Sequence, residues 1–519
     1  MDLFYKEIFQ AKNGSPVPIF KSEKAAHSKY DPEREAENFL AQADGLLFAV
    51  IYGAGGGYHI AALLKRNPAC KAVVVEKSAA DLEFLKKSVP CVRSLFENPN
   101  IIFCAADKPG QLESLLINNY FPAWHGDLQA AALRPWADEA GGLYEELLER
   151  TKKALKTISA DFSVQARFGG HWQRNIFCNL KVLKKIQEST ARSKDSDDFG
   201  ESFIKKIKGK TAAVIAAGPT LDQTIEKIAR EPQKYWTVAA DTSYKILRRR
   251  NIRVDAVVSI DAQYLSAEHF DAPLCDETIF VLDLAGNPSI ANFAFERGAK
   301  IVFFNGGHPL ISLAEPFCQR PFVRLQSGGG TVAIAAADFA RQCGFEKIEI
   351  FGADFGYSCG KPYAKGSYLD DLYGAAQNRA ATCETAFSRL MFRTPLKKDG
   401  RGFLQNEVLL SYQNTMEEFL GRGNFCREQN LYKSAFAAKA AKGIFLPNAL
   451  DFLAFKKAMS GWLKAMQGQE DLSPQAAPLL PGMARFRTPN APGCGQNKIS
   501  TKEAKKLALN KILLYNDIL

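Results

Sequence analysis

The sequence predicts an α/β protein with an N-terminal Rossmann-like module, a central parallel-sheet domain and a mainly helical C-terminal region. Three observations carry that reading. Short apolar runs alternate with segments of helical period, as parallel strands joined by crossover helices require. A strand, a glycine loop and a helix succeed one another at LLFAVIY-GAGGG-YHIAALLKR (46–66) and again at TAAVIAA-GPT-LDQTIEKIA (211–229). Residues 326–371, the stretch with most chemistry in it, read as loop, helix, strand and loop.

That last stretch begins with Ser327, Gly328, Gly329 and Gly330, backbone that turns sharply and lets a ligand approach, with Thr331 in position to cap a helix. Val332, Ala335, Ala336, Phe339, Ala340 and Cys343 then form one apolar helical face, and the first amides of that helix suit an anion. After Gly344, residues 347–351 read as a buried strand. The loop leaving its carboxyl end carries Asp354, Tyr357 and Tyr363, where ligands of open α/β sheets sit. Loop amides with tyrosine hydroxyls suit a phosphate.

A chain of 519 residues has room for two to four domains. With 46% hydrophobic and 24% charged residues it reads as globular, and no run approaches the ~18 apolar residues of a membrane helix. The start lacks a basic segment followed by an apolar one, so the expected location is the cytoplasm. Eleven cysteines without a CxxC pair argue for reduced thiols and against structural zinc. A net charge of +11 favours acidic partners, but no basic patch interleaved with aromatics points to nucleic acid.

In chain order, residues 1–137 read as an extension followed by the Rossmann-like domain. Its second strand ends at Glu76, where a ribose-binding carboxylate sits in dinucleotide and S-adenosylmethionine sites, so a methyltransferase-like role for GAGGG and Glu76 stays open. Residues 138–202 read as a helical connector, in which His171 and Trp172 are either cleft or core, ending in a Ser- and Asp-rich linker from 188. The central domain, 203–393, has strands ending at Gly218-Pro219-Thr220, Asp241 and Asp261. If these strands are parallel, the three groups meet on one sheet edge. His308, following a later strand, is a candidate base. Residues 394–519 read as mainly helical, with a turn between short strands near PLKKDGRGFLQ, a proline-rich flexible loop near 469–500 and a last helix from Thr501.

GPTL, AADTS, VVSIDAQ, SGGGTVA and GADFG in this order resemble the motility-associated factor (Maf) glycosyltransferases, over roughly residues 140–455. The central domain is similar in turn to family 42 bacterial sialyltransferases. The resemblance implies a cytoplasmic transferase that moves a nonulosonic acid of sialic, pseudaminic or legionaminic type from a CMP donor to Ser or Thr of flagellin. It implies that Gly218, Pro219, Thr220, Asp261, Ser327, Gly328, Gly329, Gly330 and Thr331 hold the donor. Tyr357 and Tyr363 would then donate to the departing phosphate, and no metal or cofactor is required. The sialyltransferase histidine that follows the tyrosine segment has no counterpart here, which leaves Asp241, Asp354 or His308 as the base. The same loop and paired aspartates also resemble archaeal pterin pyrophosphokinases, in which Asp241 and Asp261 would hold magnesium beside ATP.

Overall fold

The computed structural model describes residues 3–39, 44–190, 203, 205–271, 277–421, 425–428, 431–435, 449–469, 474–487 and 499–519. The chain forms two compact units, Met1–Gly170 with Ala465–Lys511, and His171–Lys464 with Ile512–Leu519.

In the first unit a hairpin of β1 (Tyr5–Gln10) and β2 (Pro16–Phe20) precedes four parallel strands. These are β3 (Phe48–Tyr52), β4 (Lys71–Glu76), β5 (Ile101–Ala105) and β6 (Gln129–Ala132), in the order β5-β4-β3-β6. Every residue of β3 is buried, and so is all of β4 except Lys71. Such unbroken apolar runs need helices on both faces, and helices Tyr58–Arg66 and Ala79–Ser88 alternate with the strands as predicted.

The predicted connector is a single helix, Gly142–Thr190, so residues 188–190 are helical, and the linker beyond them lies outside the described residues. Gly169 in its middle has a packing reason: a Cβ there would stand 2.1 Å from the carbonyl oxygen of Pro481.

The second unit is organised by a nine-stranded sheet. In chain order its strands are β7 (Thr211–Ile215), β8 (Tyr235–Ala240), β9 (Ala256–Ser259), β10 (Ile279–Asp283), β11 (Lys300–Asn305), β12 (Val323–Arg324) and β13 (Lys347–Phe351). After β14 (Lys397–Lys398) and β15 (Leu404–Gln405), a separate antiparallel pair, come β16 (Phe425–Glu428) and β17 (Leu431–Ala435). The sheet order is β12-β11-β10-β9-β8-β7-β13-β17-β16, parallel from β12 through β13 and antiparallel beyond. Successive strands step outward from β7 to β12, and the chain then returns to place β13 on the other side of β7. That reversal makes the carboxyl ends of β7 and β13 the switch point of the sheet, the place where such sheets form a ligand crevice.

Two expectations are corrected here. The region after residue 393 is not a separate helical domain: β17 pairs with β13, and residues 465–511 belong to the first unit. Backbone hydrogen bonding along an exposed sheet edge recruits β17 whatever its distance in sequence. Within the proline-rich stretch near 469–500, residues 474–487 form a 3-10 turn, Pro474–Leu479, and a helix, Leu480–Arg487. Residues 470–473 and 488–498 lie outside the described residues. The turn near PLKKDGRGFLQ and the last helix, Thr501–Ile518, are where the sequence placed them.

Candidate active site

The GPT loop after β7 and the GAD loop after β13 are locked together. Gly218 N donates to Gly352 O at 2.8 Å, and Thr220 N donates to Asp354 Oδ2 at 2.8 Å. Thr220 Oγ1 donates to Asp354 Oδ1. The approach is so close that a Cβ on Gly218 would lie 2.4 Å from Gly352 O and 2.5 Å from Asp354 Oδ2. Asp354 is buried, and although burial pushes its carboxyl above the usual carboxylate range, both oxygens are taken by Thr220. It positions the start of helix Leu221–Arg230 and is not the free base the sequence offered. The next residue, Phe355, is held at φ +49°, with Gln405 Nε2 donating to its carbonyl at 2.8 Å and Arg401 Nη2 to that of Asp354 at 2.8 Å. A left-handed phenylalanine costs roughly 1–3 kcal/mol and persists where its surroundings impose it. Here the β14–β15 hairpin does so, through a bridge between Tyr357 and Leu404.

Asp241 follows β8 directly, as the first residue of helix Asp241–Arg249. It is buried, Ser259 Oγ donates to its Oδ2 at 2.8 Å and Thr242 N to its Oδ1 at 2.7 Å. Burial, with the charge of Asp261 adding to it, pushes its carboxyl up to about 7. Tyr363 lies close to it. Burial drives the Tyr363 phenol well above its ordinary range, and the neighbouring Tyr368, Asp241, Tyr357 and Tyr412 push in the same direction. Burial also raises Tyr357, opposed by the guanidinium of Arg393. The result is a group of hydroxyl-bearing rings, Tyr357, Tyr363 and Tyr368, packed on Leu369, Phe387 and Met391 near Asp241 and Asp261, which follow β8 and β9.

The glycine loop reaches the same group through Tyr412. Gly330, at φ +72°, would place a Cβ 2.5 Å from the Tyr412 ring, and Gly329 one 2.9 Å from Thr415, so the loop lies flat against helix Glu407–Leu420. Thr331 caps helix Val332–Gln342 as predicted. Ser327 Oγ donates to Gly306 O at 3.0 Å, where Gly306 packs on Asp283, a buried carboxyl raised to about 7 by burial.

His308 is not brought to this site. Its Nδ1 accepts from Leu310 N at 3.1 Å to cap helix Pro309–Ala314, and its ring meets Trp172 edge-on at 6.2 Å. It follows β11, three strands from β8, or about 14 Å at normal strand spacing. Trp172 is therefore packing, and His171 is exposed.

Sequence reasoning missed the histidine that is there. His269, in the turn Tyr264–Phe270, is buried with its Nδ1 unpartnered, and its ring meets Tyr368 edge-on at 4.6 Å. Burial holds its imidazole down to about 4, with Asp261 opposing and Lys245 assisting, so it is a neutral imidazole at neutral pH. Lys245, itself buried, contacts Asp371 at 2.6 Å and Asp271 at 3.3 Å, which ties the helix behind Asp241 to the helix that carries Tyr368 and to the His269 turn. Asn175 and Asn179 were missed as well. Their Nδ2 groups donate to Ala262, Ala285, Leu284 and Gly286 carbonyls at 2.9–3.2 Å, bracing the loops after β9 and β10. An Asn pair four residues apart, in NIFCNL, is the only trace of this in the sequence.

The GAGGG loop of the first unit differs. Tyr5 OH and Ala54 N donate to Glu76 Oε2 at 3.0 and 2.9 Å, and Trp136 Nε1 and Lys77 N to Oε1 at 2.5 and 2.9 Å. A Cβ on Gly53 would lie 2.5 Å from the Trp136 ring, and His27 Nε2 accepts from Gly56 N at 3.0 Å. The ribose carboxylate and the loop that a nucleoside would need are filled by the chain's own side chains, which removes the basis of the methyltransferase reading. Among the described residues no group of three or more His, Cys, Asp or Glu side chains is disposed to hold a metal ion, and no helix is long and apolar enough to cross a membrane.

The model of the 6-hydroxymethylpterin diphosphokinase MptE-like family matches residues 182–360. Two uncharacterised proteins of Treponema pallidum (strain Nichols) are similar in part. One is 36% identical over 141 residues, 27% of this chain and 50% of that protein. The other is 33% identical over 153 residues, 29% of this chain and 66% of that protein. Less than two thirds of the length of either relative is thus spanned. Among solved structures, a Maf glycosyltransferase from Magnetospirillum magneticum AMB-1 superimposes with a TM-score of 0.51 at 13% identity, covering 100% of this chain and 87% of that one. The chain has the fold of that glycosyltransferase.

Proposed function

We propose that the second unit is a glycosyltransferase that moves a nonulosonic acid from a CMP donor to Ser or Thr of a protein acceptor, flagellin being the acceptor that the Maf resemblance implies, in the cytoplasm. The observation that carries the reading is the gathering of Tyr357, Tyr363 and Tyr368 in one cluster beside Arg393 and Asp241, after the strands that flank the β7–β13 switch point. Transfer from CMP breaks a bond to phosphate, so the site must stabilise charge on the leaving oxygen. Tyr357 and Tyr363, with the loop amides of Ser327 to Thr331, supply donors for it, and phenols that stay protonated donate throughout the reaction. In this reading Gly218, Pro219 and Thr220 form the wall on which the nucleotide lies, with Asp261, in the loop after β9, as a further donor contact. The acceptor proton goes to Asp241 or to His269, both desolvated and both close to the tyrosines. Asp354 is left out of that role by its bonds to Thr220, and His308 by its place after β11, three strands from β8.

The donors named are protein groups, so the reaction as proposed needs neither metal nor cofactor. The second reading, a diphosphokinase, rests on the mutual proximity of Asp241 and Asp261 alone, because the family match over residues 182–360 does not favour it. One assay separates them. The protein is incubated with a CMP-linked nonulosonic acid and acceptor in excess EDTA, and the acceptor is weighed by mass spectrometry. Unchanged transfer is the expected result, whereas a product that appears only with magnesium and ATP belongs to the diphosphokinase reading.

A further inference from the structure

We infer that the first unit carries a binding site of its own, for a phosphate-bearing organic anion of nucleotide size, at the edge of its sheet opposite the GAGGG loop. A cavity of about 1010 Å³ opens there, bounded by Leu47 before β3, Lys71 at the start of β4 and Asn100 before β5. It lies at the amino ends of the strands, whereas the carboxyl ends are closed by Tyr5, His27 and Trp136. The helix Thr501–Ile518 walls its other side.

The charge on that wall is one-sided. Among the described residues Lys71, Lys502, Lys505 and Lys506 line the cavity, against one carboxylate, Glu503. Lys71 Nζ donates only to the neutral Asn119 Oδ1, at 2.9 Å, and burial holds its ammonium below its ordinary range. Among the described residues Lys71, Lys502 and Lys506 are in no ion pair. Lys505 is buried, lies over the Trp124 ring at 5.5 Å and donates to Gln469 O. The ammonium groups of Lys71, Lys502 and Lys506 repel one another, and an anion relieves that repulsion while gaining charge-assisted hydrogen bonds. The first turn of the helix, entered where Thr501 Oγ1 donates to Trp124 O at 3.2 Å, adds the positive end of its dipole.

The rest of the lining decides the ligand's size. Leu47, Ala69 and Leu509 give an apolar wall that inorganic phosphate leaves unused, and the volume is at the upper end of the ~300–1,000 Å³ typical of small-molecule sites. A flat or apolar body carrying two phosphates fills both halves. This site shares no residue with the crevice of the second unit.

The test is calorimetric titration of the full chain with ADP, inorganic pyrophosphate and inorganic phosphate, without magnesium. The background is Gly330→Ala, which disturbs the other site. ADP is expected to bind, more tightly than pyrophosphate, and to weaken at high salt. Replacing Lys502 and Lys506 together by glutamine should weaken it at least about tenfold, because one charge-assisted hydrogen bond is worth roughly that factor. Both lysines are exposed, so their loss leaves folding intact, and Lys71→Gln provides a second, more buried probe. No binding of any of the three, or ADP binding indifferent to all three lysines, overturns the site. Pyrophosphate binding as tight as ADP overturns the nucleotide-sized ligand.

Discussion

Glu76→Ala should destabilise the first unit by at least about 4 kcal/mol, a large part of the ~5–15 kcal/mol of an ordinary domain. The carboxylate is wholly buried and accepts from Tyr5 OH, Ala54 N, Trp136 Nε1 and Lys77 N. Alanine leaves four donors without acceptors in a closed interior, and each unpaired buried donor costs roughly 1–3 kcal/mol. Burial pushes the Glu76 carboxyl up while its bonds to Lys77, Trp136 and Ala54 pull the other way, so an amide at this position keeps part of the arrangement. Glu76→Gln is accordingly expected to fall between wild type and alanine. Thermal unfolding followed by circular dichroism reads this, with limited proteolysis to place the loss between 1 and 170. S-adenosylmethionine should shift neither protein. A Glu76→Ala chain that melts with wild type, or a wild type stabilised by S-adenosylmethionine, would contradict a role for this residue as a closed structural hub.

The second large effect is chemical. Tyr363→Phe removes one hydroxyl and no packing, so the fold is expected to be unchanged and the transfer rate to fall about 10²–10³-fold, as when one preorganised donor to a developing oxyanion is lost. Because the lost interaction strengthens only as the leaving group departs, the loss should appear in kcat, with KM for the donor little altered. Tyr357→Phe should act in the same direction. Equal falls in stability and rate would instead mark these tyrosines as core, and an unaltered kcat would remove them from the reaction.

Much of this was legible in the sequence because the relevant interactions are local. A strand of unbroken apolar residues followed by a glycine loop and a helix specifies a parallel crossover wherever it occurs, and GPT, Asp241, Asp261 and GADFG each come straight after such a strand. The parallel sheet then brings them to one edge without further information. The rest depends on contacts between segments far apart in sequence. Nothing near Glu76 announces that Tyr5 and Trp136 fill its surroundings, so its place after β4 looks like that of a ribose ligand. His269 follows no strand directly and sits in a short 3-10 turn, held to Tyr368 by the Lys245–Asp371 pair, which periodicity does not reveal. His308 had the better position and turned out to be a helix cap. The pairing of β17 with β13 was hidden for a related reason: a short strand added at a sheet edge carries little apolar signal of its own.

The most direct test of the transferase site is calorimetric titration of CMP into the full chain in the presence of EDTA. Saturable binding is expected for wild type and for the Lys502→Gln, Lys506→Gln double variant, in which the first unit's anion site is weakened. Adding Gly330→Ala to that double variant should abolish it, since a Cβ at that left-handed glycine runs into the Tyr412 ring. Failure of CMP to bind wild type, or binding untouched by Gly330→Ala, would contradict a CMP donor held between the glycine loop and the tyrosines.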